Sequence, residues 1–123
     1  MGRSEVLFKD SSVTLDSNGG GRITFGPSKR GETWRIDRMV TNGTSAIEPE
    51  VNVYRNSETL NARVDFTPFG NDDISETTTE LRLQDNDRLI VVYDTGSSGA
   101  QMIYRIEGLV EYRTIGGSGY SAI

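Results

Sequence analysis

The chain of 123 residues contains no cysteine and no histidine. Without cysteine there is no disulfide framework and no thiolate chemistry, and without histidine the usual base of Ser-His-Asp and Cys-His sites is missing. A serine–lysine mechanism would have to recruit Lys9 or Lys29, the only two lysines, and neither lies in a recognisable motif. Long hydrophobic runs are absent too: the longest wholly apolar stretch, residues 89–93, is far short of a transmembrane helix. The start, Met1-Gly2-Arg3-Ser4-Glu5-Val6, has neither the apolar stretch of a secretory signal nor the Ser or Thr of a myristoylation site, so the expectation is an unanchored protein made in the cytoplasm. Basic charge is in deficit, with 13 Lys and Arg against 18 Asp and Glu and a net charge of -5. That balance repels a phosphate backbone, which argues against nucleic acid as the main partner.

What is present is period-two patterning. In residues 101–114 the even positions are Met102, Tyr104, Ile106, Gly108, Val110 and Tyr112, while Arg105, Glu107, Glu111 and Arg113 occupy odd ones. This predicts a long strand with one face against a core and the other wet or against a partner. Gly108 inside it predicts a bulge or a close approach by another backbone. Upstream, Ile23 and Phe25 form an apolar pair, and Trp34, Ile36 and Val40 share a face, with a bulge expected near Asp37, Arg38 and Met39. Val51 and Val53 alternate next, then Ala62, Val64 and Phe66, then Thr79, Leu81 and Leu83. Residues 88–93 are apolar on both parities and predict a central strand buried on both faces. A single helical turn capped by Asp72 or Ser75 is the one helical expectation, over residues 70–80.

About eight or nine strands at roughly 10-residue spacing predict an all-β domain, an antiparallel β-sandwich of jelly-roll type. Residues 1–12, with one strand-like piece at Val6-Leu7-Phe8, are expected to be an extended N-terminal arm, residues 13–114 the sandwich, and residues 115–123 a flexible Gly/Ser-rich tail. Charge is uneven along the chain: residues 1–46 carry +2 and residues 47–123 carry -7, a split that suits joining of copies or neighbouring subunits. Eleven of the thirteen basic residues are Arg, the cation enriched at protein interfaces.

No cofactor and no metal is assigned. Asn71-Asp72-Asp73 and Asp85-Asn86-Asp87 offer hard oxygen ligands suited to calcium, but Asx turns explain both clusters. Asp65, Asp72, Asp73 and Asp94 near strand ends could formally supply a carboxylate pair, but acid-rich loops are more often solvated turns. Gly96-Ser97-Ser98-Gly99 lacks the context of a phosphate loop. Trp34 is either a core residue or a sugar-stacking platform, and Tyr54 and Tyr112 are either core edge or contact surface. The chain is therefore expected not to be an enzyme.

Trp34-Arg35-Ile36 opening a strand, Val53-Tyr54-Arg55, Val64-Asp65, Gly70-Asn71-Asp72, Leu89-Ile90-Val91-Val92-Tyr93, Gly99-Ala100 and Ile106-Glu107-Gly108 together resemble a group of small all-β structural proteins of tailed bacteriophage virions. The likeness spans about residues 33–112 and departs at Tyr93, where Trp is expected. It implies a many-copy virion component that decorates the head or sits at the collar or tail, made in the host cytoplasm and bound to the major capsid protein or neighbouring structural subunits. It transfers no active-site residues. Expected contact residues are Val6, Leu7 and Phe8 of the arm, Lys29 and Arg30 of the basic loop, and Tyr120 and Ile123 of the tail, with homo-oligomers expected. The competing readings are a carbohydrate-binding adhesin module using Trp34, Tyr54 or Tyr112, and a collar, connector or tail subunit.

Overall fold

The computed structural model describes residues 3–113, without the side chains of residues 77–80. Among the described residues there are eight strands: β1 (Arg3–Thr14), β2 (Gly21–Phe25), β3 (Glu32–Gly43), β4 (Glu50–Arg55), β5 (Arg63–Thr67), β6 (Asp72–Gln84), β7 (Leu89–Asp94) and β8 (Gln101–Tyr112), with a 3-10 turn at Leu60–Ala62. They pair antiparallel in two four-stranded sheets, in the orders β1-β8-β3-β6 and β2-β7-β4-β5. The chain is an antiparallel β-sandwich. Only β4 and β5 are neighbours in both chain and sheet; every other connection crosses from one sheet to the other.

The sheets differ in length. Strands of the first are 12 or 13 residues long and those of the second 5 or 6. At about 3.4 Å per residue the long sheet extends roughly twice as far as the short one. The core lies where they overlap. Met102, Tyr104 and Ile106 of β8 and Ile36 and Leu83 of the long sheet meet Val51, Val53, Leu89, Val91 and Tyr93 of the short one, all 2% exposed or less. The inward parity of β8 is the one read from the sequence.

The bulge in β3 falls at Asp37, where pairing jumps from Ile36↔Gly108 to Arg38↔Glu107. The extra residue flips parity, so Met39 continues the inner face after Ile36, and Val40 faces out opposite Arg105 and Ile74, although it was expected to stay with Trp34 and Ile36. Gly108 sits opposite this bulge, and a Cβ there would lie 1.8 Å from the Arg35 carbonyl oxygen.

Several expectations are corrected. The arm expected over residues 1–12 is, from Arg3 onward, an edge strand paired along its length with β8, because Leu7 joins the core and Val13 packs against it; the sandwich thus begins well before residue 13. The helical turn over residues 70–80 is strand β6, since Asp73 and Ser75 pair with Thr41 and Met39. In β5 it is Asp65 and Thr67 that face in, opposite Val53 and Val51, while Phe66 faces out. β7 is central, but Ile90 and Val92 on its outer side are only half-buried because no third layer covers them. The tail of residues 115–123 lies outside the described residues.

Tyr93 is buried, and its hydroxyl lies 2.8 Å from Thr41 Oγ1, which itself donates to the Gly70 carbonyl at 2.7 Å. Thr41 therefore accepts from the phenol. Burial raises the Tyr93 pKa from 10.0 to about 12, with the Thr41 bond opposing.

Two outcomes follow from this packing. Gly108→Ala should destabilise the fold by about 3 kcal/mol, read as a lower urea midpoint with unchanged m, because a backbone carbonyl has nowhere to go. Tyr93→Phe should cost about 1 kcal/mol at neutral pH through the unpaired Thr41 acceptor. Because the folded pKa is raised, the phenol's contribution is complete below pH 10 and lost as pH rises toward 12, so the variant should lose less stability than the parent across that alkaline window in pH-dependent unfolding.

Candidate functional site

β1 forms one edge of the long sheet, bonded to β8 on one side and to no strand on the other among the described residues. Alternate backbone N–H and C=O groups along it therefore face outward, free to pair with another chain. Its inner-facing residues are Arg3, Glu5, Leu7, Lys9, Ser11 and Val13, by their pairing with Tyr112, Val110, Gly108, Ile106, Tyr104 and Met102. Of these six only Leu7 is buried, with Val13 partly so. β2, at 5 residues, is too short to cover the rest.

The uncovered length leaves a groove of about 800 Å³ along β1, closed on its other side by Phe25, Gly26, Pro27 and Lys29. Trp34, Val110 and Tyr112 also line it. Both lysines of the chain are there. Lys9 Nζ lies 5.1 Å from the centre of the Trp34 ring, a cation–π contact. The Trp34 indole N–H donates to Glu32 Oε1 at 3.4 Å, and the same oxygen accepts the Lys29 backbone N–H at 2.9 Å. The Glu32 N–H in turn donates to the Lys29 carbonyl at 3.0 Å, so this side chain ties the basic loop to the groove floor. At the far end Tyr112 donates to Glu5 Oε2 at 3.2 Å. Arg3 lies over the Tyr112 ring at 4.6 Å.

The outer face of the long sheet continues from the same strand. Val6 is 78% exposed and Phe8 58%, and Ile74 and Ile103 are about half exposed on the same face. Between them runs a lattice of both signs: Arg105–Glu107 at 2.6 Å, Arg35–Glu111 at 3.3 Å, Arg82–Glu111 at 3.6 Å and Arg38–Glu107 at 4.0 Å. Arg105 also stacks 5.4 Å above Phe8. Exposed pairs of this kind add little stability. They leave a face on which four arginines share two glutamates, studded with apolar side chains.

Of the residues expected to make contacts, the structure gathers Val6, Leu7, Phe8 and Lys29 around the groove and the adjoining face. Leu7 is not a contact residue in the free chain: it is 1% exposed and belongs to the core. Arg30 is exposed on the basic loop, where its charge acts on Asp85 rather than lining the groove; Asp85 is held below the usual carboxylate range chiefly by Arg113, 2.6 Å away. Tyr120 and Ile123 lie outside the described residues. Glu5, Lys9 and Glu32 were missed. The signal for Glu5 and Lys9 was their shared parity with Leu7, which counts only once β1 is recognised as a strand.

The remaining candidates resolve into structural parts. Trp34 is 5% exposed beneath Lys9, which leaves no open ring face for sugar stacking. Asn71 braces a loop by accepting from the Ser45 N–H at 3.1 Å and donating to its carbonyl at 2.8 Å. Asp87 accepts from Asn56 and from the Gln84 N–H. Asp73 accepts the Thr67 hydroxyl. Asp65 and Asp73 share a cavity of about 10 Å³ with Tyr104 and Ser75, room for one water and no substrate, where burial pushes the Asp65 carboxyl up. Among the described residues no three acidic side chains gather as a metal site.

No protein-family model matches the chain, and a search of curated proteins finds no match.

Iodide should quench Trp34 fluorescence with only a small fraction of the slope seen for free tryptophan, and oligosaccharides should leave the emission unchanged. A steep slope with a sugar-dependent shift would restore the carbohydrate reading.

Proposed function

We propose that this protein is a non-enzymatic structural component of a tailed-bacteriophage virion, present in many copies and bound to other virion proteins, most directly as a head decoration or accessory capsid protein. The observation that carries the reading is the outer face of the long sheet, where Val6, Phe8, Ile74 and Ile103 stand exposed among paired Arg and Glu side chains. A rigid sandwich with such a face can bind a repeated protein surface, and many modest contacts on one particle add through avidity. The sheet orders β1-β8-β3-β6 and β2-β7-β4-β5 support taking the sandwich as a jelly roll, an architecture found in viral capsid domains and also in lectins. The resemblance to phage structural proteins over residues 33–112 supports the virion assignment; fold alone does not carry it.

Quantitative mass spectrometry of purified particles of the phage that encodes the chain should find it in multiple copies per virion. The double variant Val6→Ser/Phe8→Ser, whose side chains lie outside the core, should fold normally and occupy particles about tenfold less at matched concentration, given roughly 1.4 kcal/mol lost from exposed apolar contacts. Absence from particles, or full occupancy by the variant, overturns the proposal.

A further inference from the structure

We propose that β1 is the docking edge for a second copy of this chain, antiparallel and related by a two-fold axis at Leu7, so that two four-stranded sheets become one sheet of eight strands. This goes beyond the virion reading and holds wherever the protein acts. β1 offers 12 residues of strand with an edge that no other strand covers among the described residues. A two-fold axis perpendicular to the sheet keeps both inner faces on the same side, so only residues of equal parity can face each other across the seam.

Within that constraint the side chains of β1 choose the register. With the axis at Leu7, Glu5 of each copy faces Lys9 of the other, Val6 faces Phe8, and Leu7 faces Leu7. Moving the axis to Val6 sets Lys9 against Arg3 and Glu5 against Leu7. Moving it to Phe8 sets Lys9 against Leu7 and Val6 against Asp10. Only the Leu7 register pairs opposite charges on the inner row and apolar side chains on the outer one.

The groove supplies what the added strand needs. A strand laid on the β1 edge would direct its own Glu5, Leu7 and Lys9 toward the inner side, and there the free chain has open space of about 800 Å³ over Trp34 and Phe25. Main-chain bonds then supply attraction and alternate side chains the selection, the logic of strand addition. An inward-facing lysine on an edge strand commonly serves to block pairing. Here Glu5, four residues away on the same row, neutralises it in one register only. The charges admit a single partner and reject parallel or shifted ones.

Sedimentation of the full chain tests this. The parent should show a monomer–dimer equilibrium. Lys9→Glu places Glu against Glu twice across the axis and Glu5→Lys places Lys against Lys, so each alone should weaken dimerisation about a hundredfold. Mixed in equal amounts, the two variants should recover dimer as a heterodimer, since each seam position again joins Glu to Lys. A parent that stays monomeric, a Lys9→Glu variant that still dimerises, or a mixture of folded variants that fails to pair overturns the proposal. Should Lys9→Glu fail to fold for want of its Trp34 contact, Val6→Asp decides: Val6 is 78% exposed in the free chain, and a dimer that survives Asp opposite Phe8 rules out this seam.

Discussion

The unequal length of the two sheets governs the rest of the molecule. Apolar inner faces must be covered, and the overlap of long and short strands covers enough of them to hold a core around Ile36, Val91, Met102 and Ile106. Where the short sheet stops, the inner row of β1 is left in the open, and the chain fills it with Glu5, Lys9 and Ser11 in place of hydrophobes. The groove is thus a consequence of strand length, and its polar lining is the sequence's accommodation to it.

The same economy appears at the β3 bulge. One extra residue at Asp37 lets Ile36 and Met39 both face the core, at the cost of bringing the β3 backbone against β8. Gly108 is the residue that permits that approach, its missing side chain leaving room for the Arg35 carbonyl. The bulge and the glycine form one device on two strands. Beyond the bulge, Thr41 takes an inner position and needs a hydroxyl partner, which Tyr93 provides from the opposite sheet.

Much of the fold was legible because alternation is a direct record of two-sided environment: β8, β4 and the Ile23–Phe25 pair each show it with few exceptions. Reading failed where the environment was mixed. β1 looks like an arm in the sequence because its inner row alternates charge with leucine, a pattern that fits a strand only where the covering sheet ends early. β6 hid behind Asp73 and Ser75, inner-face residues that are polar because Asp65, Thr67 and Tyr104 make a hydrogen-bonding pocket for them. In β5 the apolar parity of Ala62, Val64 and Phe66 holds only for Val64, which packs against the core, while Asp65 and Thr67 turn inward to the polar pocket and Phe66 faces out. Of the proposed contact residues, Val6, Phe8 and Lys29 are legible as apolar or basic side chains in segments without an evident core role; Glu5 and Lys9 are not, since their proposed meaning depends on which residues a second strand would set beside them.

The two surfaces that share β1 differ in how their charges are settled, and this separates their roles. On the outer face Arg35, Arg38, Arg82 and Arg105 already pair with Glu107 or Glu111 in the free chain, so covering them asks less desolvation than covering lone ions would. That face suits broad contact with a large partner, in which apolar Val6 and Phe8 supply the attraction. On the inner row Glu5 and Lys9 make no ion pair among the described residues; Glu5 has the Tyr112 hydroxyl and Lys9 the Trp34 ring. Charges that share a row of an extended strand, about 13 Å apart and unpaired, gain most from a partner that brings the opposite sign to the right place, and lose most from one that does not. On the proposed reading the face sets how strongly this protein holds a neighbour, and the edge sets which neighbour and in what register.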